Sequence, residues 1–350
     1  MPAAAVYAGG YNTYVPNTAA TNNLVVDFSR NVESFKLNKW IQIVPVTQTT
    51  GLYTEMTVEQ AGRIGDTTGA DVVWADGDPM PQGNGKMEKH QFKSYTTTRY
   101  ADAVNVGEKA AKEAAWDLLG QTDRITMQRC MTRRAKKFIT LAQTSGTWDA
   151  THTSAVSSIS GVTGKWDVST TARQDIKRSF DYAIELILKD TLVGISPSDL
   201  MLVMSPGCAK RMSISQEIVD FIKGSPDAKD YVAKGFGNAL FGMPERLYGL
   251  PIVIEDTAYV STQKGATTTK AWAMSDTAPF ICARPGSLVA PKDSNQRPNF
   301  ATFVGFFLEE MTVETKHDTD NRRHVARVVE DYDAKAVAPV SGFLFTAAVA

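Results

Sequence analysis

Ser205 stands where a hydrolase nucleophile would stand, between the apolar run Leu200-Met-Leu-Val-Met204 and helix-like sequence. A nucleophile elbow needs G-x-S-x-G, so that the turn is tight and the next residue can donate its N–H to an oxyanion. This chain reads Val203-Met-Ser-Pro-Gly207, without the first glycine and with Pro206 in place of the donor. Those residues predict a capping serine followed by proline at the first helical position. The histidines are His90, His152, His317 and His324. The last two are seven apart on strand-like sequence, with no cysteine or third histidine beside them, so zinc spacing fails. Asp318-Thr-Asp-Asn321 opens like a calcium loop but lacks its glycine and distal glutamate, and reads as a turn. Gly85-Lys86 is followed by Met87, and Met80 occupies the first glycine's place, so no P-loop forms. Gly235-Phe-Gly237 lacks the third glycine of a dinucleotide fingerprint. Nothing marks Glu309 with Glu310, or Asp331 with Asp333, as a catalytic pair; a solvated strand edge explains them. No catalytic, cofactor-binding or metal-binding residue is assigned.

The elements around these residues are clearer than their chemistry. The 350 residues suffice for one large or two ordinary domains. A net charge of -1 advertises neither nucleic acid nor membrane. Cys130, Cys208 and Cys282 form no CxxC pair and predict buried thiols in a reducing compartment. The first residues lack the basic and apolar regions of a signal peptide. The apolar tail 334–350 carries Lys335, Pro339 and Ser341 and is too short to span a bilayer.

Residues 1–23, rich in Ala, Asn, Thr and Gly, predict an extended arm, and Leu24–Phe28 and Trp40–Val46 predict short strands. Gly51–Val104 is a polar, glycine-rich excursion with no helical stripe, too long for a structureless loop inside a compact domain. Its turn formers Asp76, Gly77, Pro79, Pro81, Gly83 and Gly85 predict the tip of a long hairpin. Phe92–Tyr100 has the aromatic and β-branched content of the returning strand. Helices are expected over Glu108–Leu119, Asp123–Gln143 and Thr171–Thr191, the last capped by Ser169, Thr170 or Thr171. In the second, Met127, Met131, Ala135, Phe138 and Ala142 form an apolar stripe, with Arg134 on its edge. Arg129, Arg133, Lys136 and Lys137 form a basic face, read either as solvated or as a surface for acidic loops or nucleic acid. Gly224–Phe241 reads as mobile, and Phe303–Leu308, Met311–Thr315 and His324–Val329 as strands.

In that order, arm, long hairpin, long helix, α/β body and terminal strands, the chain resembles the major capsid proteins of tailed bacteriophages, with their Hong Kong 97-type fold. Gly51–Val104 resembles the extended E-loop, and Asp123–Gln143 the spine helix. Leu200–Arg211 and Leu240–Ile254 resemble parts of the axial domain. Asp320–Phe343 resembles the return to the peripheral sheet. The resemblance implies an α+β fold divided as N-terminal arm 1–50, E-loop 51–105, spine helix and first peripheral part 106–168, axial domain 169–298, and returning peripheral strands 299–350. It implies a non-enzymatic homo-oligomer of pentamers and hexamers in a virion shell around double-stranded DNA, assembled in host cytoplasm with portal, scaffold and decoration or cement proteins. It implies no cofactor and no membrane. Two other readings stand beside it: an encapsulin-like nanocompartment around protein cargo, and an α/β hydrolase-like enzyme using Ser205.

Overall fold

The structure, a computed structural model, describes residues 30–55, 73–80, 91–114, 116–171, 173–224, 243–263, 265–286 and 301–350. The expected extended arm over residues 1–23, the strand-like Leu24–Phe28 and residues 225–241 of the expected mobile segment lie outside the described residues. The first half of the chain forms β1 (Ile41–Pro45), β2 (Thr50–Glu55), β3 (Gln91–Thr96), β4 (Thr98–Gly107), α1 (Glu108–Glu113), α2 (Leu118–Gln143), β5 (Thr153–Ala155) and α3 (Asp175–Asp190). Then follow β6 (Leu200–Met204), α4 (Pro206–Ser213), α5 (Gln216–Gly224), β7 (Arg246–Leu247), β8 (Leu250–Ile254), β9 (Ala258–Val260), β10 (Lys270–Trp272) and β11 (Phe280–Ala283). The last strands are β12 (Phe303–Asp318), β13 (Arg323–Ala336) and β14 (Phe343–Thr346).

Two main sheets result. One has the order β1-β12-β13-β4 and carries α2; the other has the order β5-β14-β11-β6-β8-β7. The long helix starts at Leu118, ahead of the expected Asp123, because the Asp117 carboxylate accepts the Gly120 N–H at 3.0 Å and caps it. The helix expected over Glu108–Leu119 stops at Glu113, and it starts no earlier than Glu108 because β13 offers β4 ladder partners as far as Gly107. For the same reason the excursion ends at Thr97 and not Val104: Asp102 and Val106 on β4 are buried. The strands expected at Phe303–Leu308 and Met311–Thr315 are one strand, β12, with register shifts around Glu309. The expected caps of α3 are not used. The Glu217 carboxylate from α5 accepts the N–H groups of Ile176 and Lys177, each at 2.9 Å. The terminal strand β14 pairs with β11 and β5 in the six-stranded sheet.

Trp40 locks the layers together. Its fully buried ring meets Phe138 of α2, Phe280 of β11 and Phe303 of β12 edge-on, at 6.3, 5.4 and 5.5 Å. Its indole N–H donates to Glu255 at 3.1 Å, and the Thr257 hydroxyl donates to the same buried carboxylate. Burial pushes the Glu255 carboxyl above its usual 4.5, against the pull of those two donors. A carboxyl raised on folding stabilises fully below its unfolded pKa, and that contribution fades as pH rises through the folded value. Glu255→Gln is therefore expected to gain thermal midpoint relative to the parent as pH rises above 4.5. Parallel midpoint-against-pH curves for the two proteins would contradict this.

Candidate inter-subunit surfaces

The hairpin β2–β3 has one face anchored and one face bare. Strand alternation puts Gly51, Tyr53, Lys93 and Tyr95 on one side, and Leu52, Phe92 and Ser94 on the other. On the anchored side Tyr53 and Tyr95 stack on Phe306 of β12, with centroids at 5.6 and 4.6 Å. Glycine is required at position 51 because the Tyr95 ring crosses where a Cβ would sit. Asp333 of β13 accepts the Thr96 N–H at 3.0 Å and fixes the hairpin's root. On the bare side Leu52 and Phe92 face outward, and Val73, Trp74 and Met80 are uncovered further along. All five are between 64% and 75% exposed.

Of the six expected tip residues, Asp76, Gly77 and Pro79 lie in this exposed stretch, and Pro81, Gly83 and Gly85 lie outside the described residues. Residues 75–78 close a turn through Asp78 N–H to Ala75 O at 3.1 Å, with Gly77 at φ +90°. The Trp74 indole donates to Asp78 O at 2.7 Å, so the ring is held across the turn although its face is open.

The basic face of α2 is less free than its sequence suggests. Arg129 and Arg133 each reach one oxygen of Asp102 on β4 at 3.1 Å, while half their side-chain surface stays exposed. Lys137 donates to the Tyr100 hydroxyl at 2.8 Å and lies over the rings of Tyr100 and Tyr332. Lys136 leans the other way, donating to Ala273 O at 3.0 Å and lying over Tyr259. All four line an open groove of about 1070 Å³ between α2 and the β9–β10 hairpin, together with Lys270, Ile125 and Val260. Among the described residues that lining holds five cations and no carboxylate. Arg134 is buried, its guanidinium on Glu330 of β13 and over the Phe307 ring.

Ser205, His152, Asp318, Asp331 and Asp333, each tested for catalysis, are spent on structure. Buried Ser205 accepts the Cys208 N–H at 3.0 Å, capping α4, and donates to Asp276 at 2.5 Å. His152 bridges Gly342 O at 2.7 Å and Asp190 at 2.9 Å. Asp318 accepts from Asn321 and Arg323, which hold its carboxyl down at about 2. Asp331 is buried beside Arg99, and Asp333 serves the hairpin root. His90 lies outside the described residues. The three cysteines are buried and unpaired, and burial pushes the Cys130 thiol up to about 11, away from thiolate chemistry. Among the described residues no group of three or more His, Cys, Asp or Glu is placed to hold a metal, and no helix is long and apolar enough to cross a membrane.

Sequence reasoning missed the five bare apolar residues and the Asp102 and Glu330 counter-charges. The first had a signal, large apolar residues inside a polar segment; the second had none before β4 and β13 were paired.

No protein-family model and no curated protein matches the chain. Solved structures do match, over nearly its whole length. A phage-related protein of Bordetella bronchiseptica aligns at 14% identity over 91% of this chain and 93% of its own, with a TM-score of 0.58. The mature capsid of bacteriophage PhiM1 aligns at 14% identity over 92% and 89%, TM-score 0.55. The capsid of cyanophage P-SCSP1u aligns at 11% identity over 97% and 96%, TM-score 0.53. With the anchored hairpin, the long helix on a four-stranded sheet and the separate six-stranded sheet, the chain has the Hong Kong 97-type capsid fold.

Proposed function

We propose that this protein is the major capsid protein of a tailed bacteriophage, self-assembling as pentamers and hexamers into an icosahedral shell around double-stranded DNA. The observation that carries the reading is the bare apolar side of the β2–β3 hairpin, with Val73, Trp74 and Met80 also exposed in the segment between its strands. A hairpin fixed at its root and bare on one face gains its missing contacts from a neighbouring copy. Obligate interfaces bury on the order of 2,000–5,000 Å². At roughly 25 cal/mol per Å² of apolar area, a fraction of that offsets the ordering of one hairpin per subunit. The cationic groove along α2 supports the second half of the reading: an acid-free lining suits the phosphates of packaged DNA better than protein cargo. Arg129, Arg133, Lys136 and Lys137 are the residues proposed to face that interior. Portal, scaffold and decoration proteins, the virion location and assembly in host cytoplasm belong to the same proposal.

Leu52→Asp with Phe92→Asp is expected to abolish shells while leaving the subunit's melting midpoint unchanged, read by electron imaging and calorimetry. Normal shells from this variant would reject the hairpin's role. Arg129→Gln with Lys270→Gln leaves Arg133 on Asp102, and is expected to give shells with reduced DNA content. Unchanged DNA content would reject the groove's role.

A further inference from the structure

We propose that His317 and His324 form a chelating pair for a divalent cation of the zinc class at the end of the β12–β13 hairpin. The two residues stand directly opposite each other in the ladder, which puts both rings on one face. Their centroids are 4.8 Å apart and their planes inclined at 48°. A Zn–N bond of about 2.0–2.1 Å holds an imidazole's ring centre roughly 3.2 Å from the metal. Two rings on one ion then stand about 4.5 Å apart at a right angle and about 5.2 Å apart at the tetrahedral angle. The observed separation lies between these limits, so the pair is already near its metal-bound spacing.

The ring nitrogens are also available. Neither ring makes a hydrogen bond or ion pair with any described residue, in contrast to His152, whose two nitrogens are both engaged. His317 is exposed and His324 half-buried, so an ion reaches them from solvent. Val106 lies opposite His324, and Glu108, two residues on, brings a carboxylate to the same end. Lys112, its ion-pair partner, chiefly holds Glu108 below the usual carboxylate range, and His317 and Arg322 contribute. Asp318 is occupied by Asn321 and Arg323. Lys316, next to His317 on β12, alternates to the opposite face. The pair thus supplies two ligands and leaves positions for water. Imidazole suits zinc, copper and nickel, whereas magnesium prefers oxygen. Filled, the site ties β12 to β13 where the hairpin ends, and stabilises the chain by mass action.

The test is titration calorimetry of Zn²⁺ into the purified chain, His317→Ala and His324→Ala, at a pH where free imidazole is neutral. Loss of a partner beyond the ligands already costs about 10–100-fold in metal affinity, so loss of a ligand should cost at least about tenfold. The parent is expected to take up one Zn²⁺ per chain, each variant to bind at least tenfold more weakly, and Mg²⁺ not to bind. Zn²⁺ is also expected to raise the melting midpoint of the parent and of neither variant. Equal Zn²⁺ affinity in all three proteins, or no binding to the parent, overturns the proposal.

Discussion

Arg134→Ala is expected to destabilise the subunit by about 3–5 kcal/mol, because it leaves the Glu330 carboxylate buried without its counter-charge. Glu330 is wholly buried, and its Oε1 already lacks a hydrogen-bond partner among the described residues. Burial raises its carboxyl above the usual range even with Arg134 in place to pull it down. The guanidinium also covers the Phe307 ring at 4.7 Å, so alanine removes packing as well as charge. Urea unfolding of the subunit reads the loss. Replacing both partners, Arg134→Met with Glu330→Leu, should recover most of it, since a buried pair exchanged for apolar groups of like volume is close to neutral. A loss below about 1 kcal/mol for Arg134→Ala would show that water reaches Glu330 and that α2 and β13 are not sealed together.

Trp40→Ala is expected to cost a further large amount, about 3–5 kcal/mol, in the same assay. The ring fills the space where α2, β11 and β12 meet, and its N–H satisfies Glu255. Alanine leaves a cavity and an under-bonded buried carboxylate together. Trp40→Phe should recover part of the packing but not the hydrogen bond, and so fall between the two. If Trp40→Ala unfolded at the parent's urea midpoint, the two sheets would not share the core described above.

These two residues show how much of the fold was legible. Arg134 was visible as a charge on the edge of an apolar helical stripe, and its burial followed. Its partner was not visible, because Glu330 lies 196 positions away and reads as one of many strand-edge acids. The strand Leu200–Met204 and the capping Ser205 were readable because continuous apolar sequence and an S-P turn are local signals. The end of the polar excursion was misplaced for the opposite reason. Thr98–Gly107 is a strand only because β13 lies beside it, and its polar residues conceal that pairing. The capping of α3 by Glu217 was hidden likewise, since a carboxylate from another helix supplies what Ser169–Thr171 were expected to give. The hairpin itself was legible as a segment without a core of its own, and the structure locates what it lacks: a cover for Leu52 and Phe92.

The central claim, that neighbouring copies supply that cover, is tested most directly by electron imaging of the purified protein at high concentration. The account predicts closed shells of uniform size, in which the β2–β3 hairpin of each subunit lies on an adjacent subunit. A field of discrete single subunits at every concentration, with no shells, would contradict it.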